Sequence, residues 1–182
     1  MRRPPLLPVV CWLLFLGASC SPATDVGPPG DGLPDFQTDS VSYTFVATSV
    51  GYTGTIGVTY TNKTNETANF VNCLGGTDVQ LQKLTNGEWK TVWSPVLLTC
   101  LSPPIVVAPG QEYRSRISVF AGYPGSNFLP TFVTTDISGS YRAVWTQVVT
   151  GYQDKLSFGT PLPAEHRVSN QFTIVAPARS GS

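Results

Sequence analysis

Apolar and polar residues alternate with a period of two along most of the chain after residue 40. In Val41–Ala47, apolar side chains occupy every second position, which puts them on one face of an extended strand. No segment keeps a helical period. The pattern predicts short strands at Val41–Ala47, Ile56–Thr61, Ala68–Cys73, Val79–Leu84, Trp89–Trp93, Ile105–Val107, Glu112–Phe120, Gly139–Val149 and Phe172–Val175.

Seven to nine short strands with turn signals between them are typical of an all-β domain. The pattern favours an immunoglobulin-like β-sandwich with Greek-key connections, and a barrel is the alternative. The domain is predicted to cover residues 41–176, followed by a disordered tail at 177–182. Composition agrees, because only 12% of the residues are charged while Gly and Pro number 17 and 16.

The most distinct local signal is a hairpin with Asn86-Gly87 at its turn. Both residues tolerate the positive φ that a tight primed turn requires, and apolar, β-prone segments flank them. A cysteine stands on each side of the hairpin, at Cys73 and Cys100. In an oxidising compartment we expect these two cysteines to pair as a disulfide. A redox or metal pair would need closer spacing or neighbouring histidines.

The first 19 residues are predicted to be a signal peptide. Arg2 and Arg3 supply a positive start, and the apolar run Leu6–Leu16 is too short to span a membrane. Small residues then precede Cys20. Removal of this leader leaves nine basic and eleven acidic residues, with no basic patch, so nucleic acid is not an expected partner.

The segment Leu16-Gly-Ala-Ser-Cys20 resembles the bacterial lipobox, although Gly17 stands where that motif usually has leucine. The resemblance implies cleavage before Cys20 and attachment of a lipid, including fatty acids such as palmitate, to that cysteine. Ordinary signal peptidase cutting after Ser19 or Ala23 is the alternative. Residues 20–40 are rich in Pro, Gly and Asp without an apolar face, which predicts a flexible, lipid-anchored linker.

The stretch from Asp136 to Tyr141 resembles the tyrosine corner of Greek-key sandwiches, with Gly139 shortly before Tyr141. Ala143 stands where antibody domains have their second cysteine, so a disulfide of antibody type is not expected. Several turn and strand motifs together resemble a poorly characterised group of immunoglobulin-like domains on exported bacterial proteins. These motifs are Val58–Asn62, the cysteine pair, Gly87–Trp89, Pro109–Gln111 and Gly139–Arg142.

Candidate catalytic chemistry is sparse. His166 is the single histidine, so a site with several histidines is impossible, and no Gly-x-Ser-x-Gly elbow accompanies it. A triad built on His166 stays formally possible, but a structural role is favoured. We expect no catalytic residues, no metal and no cofactor. Trp89, Trp93, Trp145 and Tyr141 could form a platform for sugar or peptide, but core packing is favoured, with at most one of them exposed.

The sequence thus predicts a non-enzymatic lipoprotein of the cell envelope that acts as a binding or structural module. Its expected partner is the membrane, through the lipid, and an envelope protein or glycan is a further candidate. An outer-membrane location is expected, with a periplasmic or secreted soluble protein as the alternative. Contacts are expected at loops Gly122–Pro130 and Gly151–Pro163. A second hypothesis is a secreted protease inhibitor that presents Ser102–Pro104 or Tyr123–Gly125.

Overall fold

Strands and one 3-10 turn at Ala164–Arg167 are the regular elements of the computed structural model, which describes residues 32–97, 100–154 and 159–177. The fourteen strands are β1 (Phe36–Thr38), β2 (Ser42–Thr44), β3 (Val46–Ala47), β4 (Gly51–Thr61), β5 (Ala68–Cys73), β6 (Gly76–Thr77), β7 (Val79–Thr85), β8 (Glu88–Trp93), β9 (Ser102–Val107), β10 (Glu112–Gly122), β11 (Gly139–Trp145), β12 (Val148–Thr150), β13 (Thr160–Pro161) and β14 (Phe172–Val175). The predicted all-β class is therefore confirmed.

The strands form three sheets. In the first, β4 pairs with β1, β3 and β10, all antiparallel. The second has the order β2-β14-β11-β7-β8 and is antiparallel except between β14 and β2. The third has the order β13-β12-β5-β6, and β9 also pairs with β5. Apolar side chains from all three sheets meet in one core, as in a β-sandwich.

An aromatic cluster joins the sheets. Phe36 of β1 stacks on Trp145 of β11 with ring centroids 3.8 Å apart. The Phe36 ring also meets Phe70 of β5 edge-on at 5.8 Å and lies 4.6 Å from Tyr60 of β4. Since these four side chains come from all three sheets and are at most 2% exposed, Phe36 lies at the centre of the core.

The position of Phe36 corrects the predicted domain boundary. Residues 36–38 form β1 and pair with β4, so the folded domain begins before residue 41. Asp35 and Phe36 are each 1% exposed, and only residues 20–31 of the predicted linker lie outside the described residues. The composition of this segment hid the strand, because one buried aromatic residue among Pro, Gly and Asp gives no periodic signal.

The strand count of seven to nine was too low, because the chain changes sheet within predicted strands. The predicted strand at 41–47 divides at Phe45, with β2 in the second sheet and β3 in the first. The predicted strand at 139–149 divides between β11 and β12, at Thr146 and Gln147. Three further short strands, β1, β6 and β13, lie in segments predicted to be linker or loop.

The predicted hairpin is confirmed. β7 and β8 pair antiparallel up to Thr85 and Glu88, and the residues between them, Asn86 and Gly87, have φ values of 53° and 83°. Positive φ at both central positions is what a type I′ turn requires. The Asn-Gly dipeptide therefore sets the register of this edge of the second sheet.

The tyrosine corner is also present. The buried hydroxyl of Tyr141 donates a hydrogen bond of 2.5 Å to the carbonyl of Ile137, four residues upstream. Burial raises the pKa of Tyr141, and the charge of Asp136 adds to the effect. Gly139 has a φ of 142°, and a Cβ there would lie 2.8 Å from Cε of Lys83. Glycine thus leaves room for Lys83, whose ammonium donates to the Asp136 carbonyl at 2.5 Å.

Candidate functional site

Cys73 and Cys100 form a disulfide, as the sequence predicted. Cys73 ends β5 and Cys100 lies just before β9, and these two strands pair antiparallel with Asn72 opposite Ser102. The bond therefore closes the end of an existing ladder. Cys20, the predicted lipidation site, lies outside the described residues.

The other residues singled out from the sequence stabilise the fold and do not gather at one cleft. Asn86 and Gly87 form the hairpin turn, while Gly139 and Tyr141 form the tyrosine corner. Each acts through its backbone conformation or a local hydrogen bond. We therefore assign all four a structural role.

The four aromatic residues that were considered as a platform, Trp89, Trp93, Trp145 and Tyr141, do not form an exposed surface. Trp93, Trp145 and Tyr141 are buried. Trp89 is half-buried and carries the guanidinium of Arg142 over its ring, 4.7 Å from the centroid. The prediction that these aromatic residues pack in the core, with at most one exposed, is confirmed.

The segment after β10, residues 123–130, is a fixed loop, which we call the Tyr123 loop. The Tyr123 hydroxyl donates to the carbonyl of Thr48 at 2.6 Å, and its ring packs edge-on against Tyr52 at 5.1 Å. The amide of Gly122 donates to the carbonyl of Pro130 at 2.8 Å, which closes the base of the loop. Both ends of the Tyr123 loop are thus tied to the first sheet and the segment beside it.

The tip of the Tyr123 loop exposes apolar side chains. Phe128 is 45% exposed and Leu129 is 70% exposed. The Phe128 ring lies edge-on to Phe120 of β10, with centroids 5.2 Å apart. Residues of the loop line a cleft of about 570 Å³ together with Ser49 and Val50. A fixed loop that holds large apolar side chains in water is typical of a contact surface.

The second predicted contact loop, residues 151–163, returns to the third sheet. Its residues 155–158 lie outside the described residues. Thr160 and Pro161 form β13 opposite Thr150 and Val149, and Leu162 is buried. The described part of this loop therefore offers less exposed apolar surface than the Tyr123 loop.

His166 contacts a buried carboxylate. Its Nδ1 lies 2.8 Å from Oδ2 of Asp35, and the Asp35 side chain is 1% exposed. The imidazole also lines a cleft of about 420 Å³ with Glu66, Thr160 and Pro163. Sequence reasoning missed this pair because Asp35 was assigned to a solvated linker, and the one available signal was the aromatic residue that follows it.

The surroundings of Asp35 favour a structural role for the pair. Tyr60 is buried beside it, and the pKa of Tyr60 is raised by burial first and by the negative charge of Asp35 second. In the described part of the chain, the His166 side chain has one hydrogen bond, to Asp35, and no hydroxyl group is bonded to it. The pair ties the 3-10 turn to the segment before β1.

Two further features bear on the site. Within residues 32–97, 100–154 and 159–177, no three His, Cys, Asp or Glu side chains come together as metal ligands. No helix among these same residues has the length and hydropathy to cross a bilayer.

The Ser102–Pro104 segment was one of the loops considered for a protease inhibitor. It lies in β9, where the side-chain amide of Asn72 donates to the Pro103 carbonyl at 2.9 Å. That loop assignment was wrong.

No protein-family model matches this chain. No curated protein matches it either. The fold and the geometry of its surfaces therefore carry the functional argument.

Proposed function

We propose that this protein is a non-catalytic binding module of the cell envelope, anchored through a lipid on Cys20, and that it contacts another protein through the Tyr123 loop. The observation that carries the proposal is the pair of exposed side chains, Phe128 and Leu129, on a loop tied down at both ends. Because such a loop is already ordered, binding costs little conformational entropy. A rigid β body with a recognition loop is the common design of binding domains.

The burial of Trp93 and Trp145 favours a protein partner over a glycan. Sugar sites rely on exposed aromatic faces, whereas Trp93 and Trp145 are buried in the core. Phe128 and Leu129 offer an apolar contact of the kind that fills a pocket on a protein surface.

The proposed tether is shorter than the sequence alone implied. With the lipid on Cys20 and the fold beginning at Asp35, the connecting segment runs from Ser21 to Pro34. Fully extended, this segment would span at most about 50 Å. The binding loop would therefore work close to the membrane that carries the anchor.

The alternative is a secreted protease inhibitor that presents the same loop. A fixed loop with Leu129 70% exposed is also what a substrate-like inhibitor offers to a protease cleft. The Tyr123 side chain fits that role poorly, because its hydroxyl is bonded to Thr48. Nanomolar inhibition of a protease, lost in the variant Leu129→Asp, would replace the binding-module proposal with this one.

Site-specific photo-crosslinking in the cells that produce the protein tests the proposed loop contact. A photoreactive residue at position 129 is expected to give a discrete crosslinked protein. The matched control carries the same group at Val106, which is 61% exposed on β9, and is expected to give none. Absence of a product from position 129, or the same products from both positions, would contradict the proposal.

A further inference from the structure

β10 is an edge strand with an open side. It is the last strand of the first sheet, and its one strand partner in the described part of the chain is β4. The eleven residue pairs between β10 and β4 run in unbroken register. Proteins usually protect such edges with proline, bulges, covering segments or charged side chains; β10 contains no proline and no bulge, and its charged residues are Glu112, Arg114 and Arg116.

The alternation of an antiparallel ladder identifies the outward-facing backbone groups. The amide of Asn62 donates to the carbonyl of Gln111 at 3.0 Å, and the carbonyl of Asn62 accepts from the amide of Gly110 at 2.8 Å, so the Gln111 carbonyl points toward β4. Counting by two along β10, the backbone groups of Arg114, Arg116 and Ser118 point away from β4.

Contacts at the far end of β10 agree with this assignment. Phe120 and Gly122 are the next outward-facing positions. The carbonyl of Phe120 accepts a hydrogen bond from the indole of Trp93 at 3.2 Å, and the amide of Gly122 donates to Pro130. These two positions are covered by other parts of the fold.

The three positions before them are not covered. Among the described residues, no hydrogen bond is made by the outward backbone amides and carbonyls of Arg114, Arg116 and Ser118. Arg116 and Ser118 line a cleft of about 340 Å³, and Gly75, Gly76, Trp93 and Pro95 line it too. The edge therefore offers alternating donors and acceptors at the side of a cleft, which is the arrangement that an added strand requires.

The charges along the β10 edge indicate which kind of chain segment can pair with it. Arg116 lines the cleft, and no acidic side chain lies among the residues that line it. Arg114, one pleat away on the same exposed face, lies 3.4 Å from Glu112. A second copy of the chain, paired antiparallel with Arg116 at the centre, would place Arg116 directly opposite Arg116 of the other copy. Two like charges in that position are unfavourable.

We propose that the β10 edge binds an extended, acidic segment of another protein as a further strand of the first sheet. This proposal rests on the binding-module function but uses a surface separate from the Tyr123 loop. Carboxylates at alternate positions of the segment would lie on the face of Arg114 and Arg116, and apolar side chains between them would face the cleft. The backbone would supply affinity, and the charges would supply specificity.

The test uses the disulfide-bonded protein and a blocked peptide of sequence Thr-Val-Glu-Val-Glu-Val-Thr, titrated by nuclear magnetic resonance. We expect the chemical shifts of the backbone amides of Arg114, Arg116 and Ser118 to change on titration. The same peptide with lysine in place of both glutamates should bind about tenfold more weakly. Methylation of its edge-facing backbone nitrogens should abolish binding.

Variants and controls make the outcome decisive. Arg116→Glu is expected to lower the affinity for the acidic peptide about tenfold. Lys90→Glu makes the same charge change on the exposed hairpin and should leave the affinity unchanged. No binding at millimolar peptide, or binding indifferent to Arg116→Glu, would overturn the proposal. Shifts at this edge that grow with protein concentration alone would overturn it in favour of a second copy. None of these outcomes depends on crosslinking from the Tyr123 loop.

Hydrogen exchange provides a check without any peptide. In the free protein the amides of Arg116 and Ser118 should exchange much faster than that of Ile117, which is bonded to β4. Equal protection at all three would mean that the edge is already covered, and that result would also overturn the proposal.

Discussion

Replacement of Phe36 by alanine is expected to lower the free energy of unfolding by about 3–5 kcal/mol. The side chain is 1% exposed, stacks on Trp145 at 3.8 Å and lies 4.6 Å from Tyr60. Its removal leaves a cavity where the three sheets meet, and the surrounding strands cannot close over it without losing their pairing. Urea denaturation of the two proteins measures the difference directly.

Val41→Ala is the matched control for this variant, because Val41 lies close in sequence but is 76% exposed. Its effect should stay within about 0.5 kcal/mol. If Phe36→Ala proved as mild as Val41→Ala, residues 36–38 would not be part of the core. The boundary at residue 41 that the composition suggested would then be correct.

Loss of the disulfide is expected to cost about 3.5 kcal/mol, the chain-entropy value for a closed loop of this length. The bond joins residues 27 apart in sequence and lies at the end of the β5–β9 ladder. The variant Cys73→Ala/Cys100→Ala should unfold at a correspondingly lower urea concentration than the oxidised protein.

A reductant provides the control for the disulfide experiment. It should destabilise the natural protein by a similar amount and leave the double variant unchanged. Equal unfolding midpoints for the oxidised and reduced natural protein would show that the β5–β9 ladder holds this region without the bond. An oxidising compartment would then confer no stability on the fold.

The sequence predicted those features that depend on neighbouring residues. Asn86-Gly87 specified a hairpin because both residues accept positive φ. The tyrosine corner was visible from the spacing of Gly139 and Tyr141, and the Cys73–Cys100 bond from cysteine counting. Alternation of apolar residues predicted the strand class of nearly the whole domain.

Features created by distant contacts were missed. Nothing local to Asp35 and Phe36 shows that one meets His166 and the other Trp145, which lie more than a hundred residues away in the chain. Alternation also continues through a corner where a strand changes sheet, so the break at Phe45 gave no signal. Ser102–Pro104 was interpreted as an exposed loop, yet it lies in β9, and the pairing of β9 with β5 holds it extended.

The two proposed contact surfaces follow one another along a single strand. Arg114, Arg116 and Ser118 form the open part of the β10 edge, and the Tyr123 loop begins directly after Gly122. Phe120 lies between them and touches Phe128. A partner segment that ran along the edge toward the C-terminal end of β10 would therefore approach the apolar tip of the loop.

Mass spectrometry of the mature protein from its own cells is the most direct test of the proposed envelope anchor. We expect an N-terminus at Cys20 that carries fatty acids, and a mass two hydrogens below that of the reduced chain because of the Cys73–Cys100 bond. A mature protein without lipid that begins at Thr24, or a full-length chain that retains Met1, would contradict it.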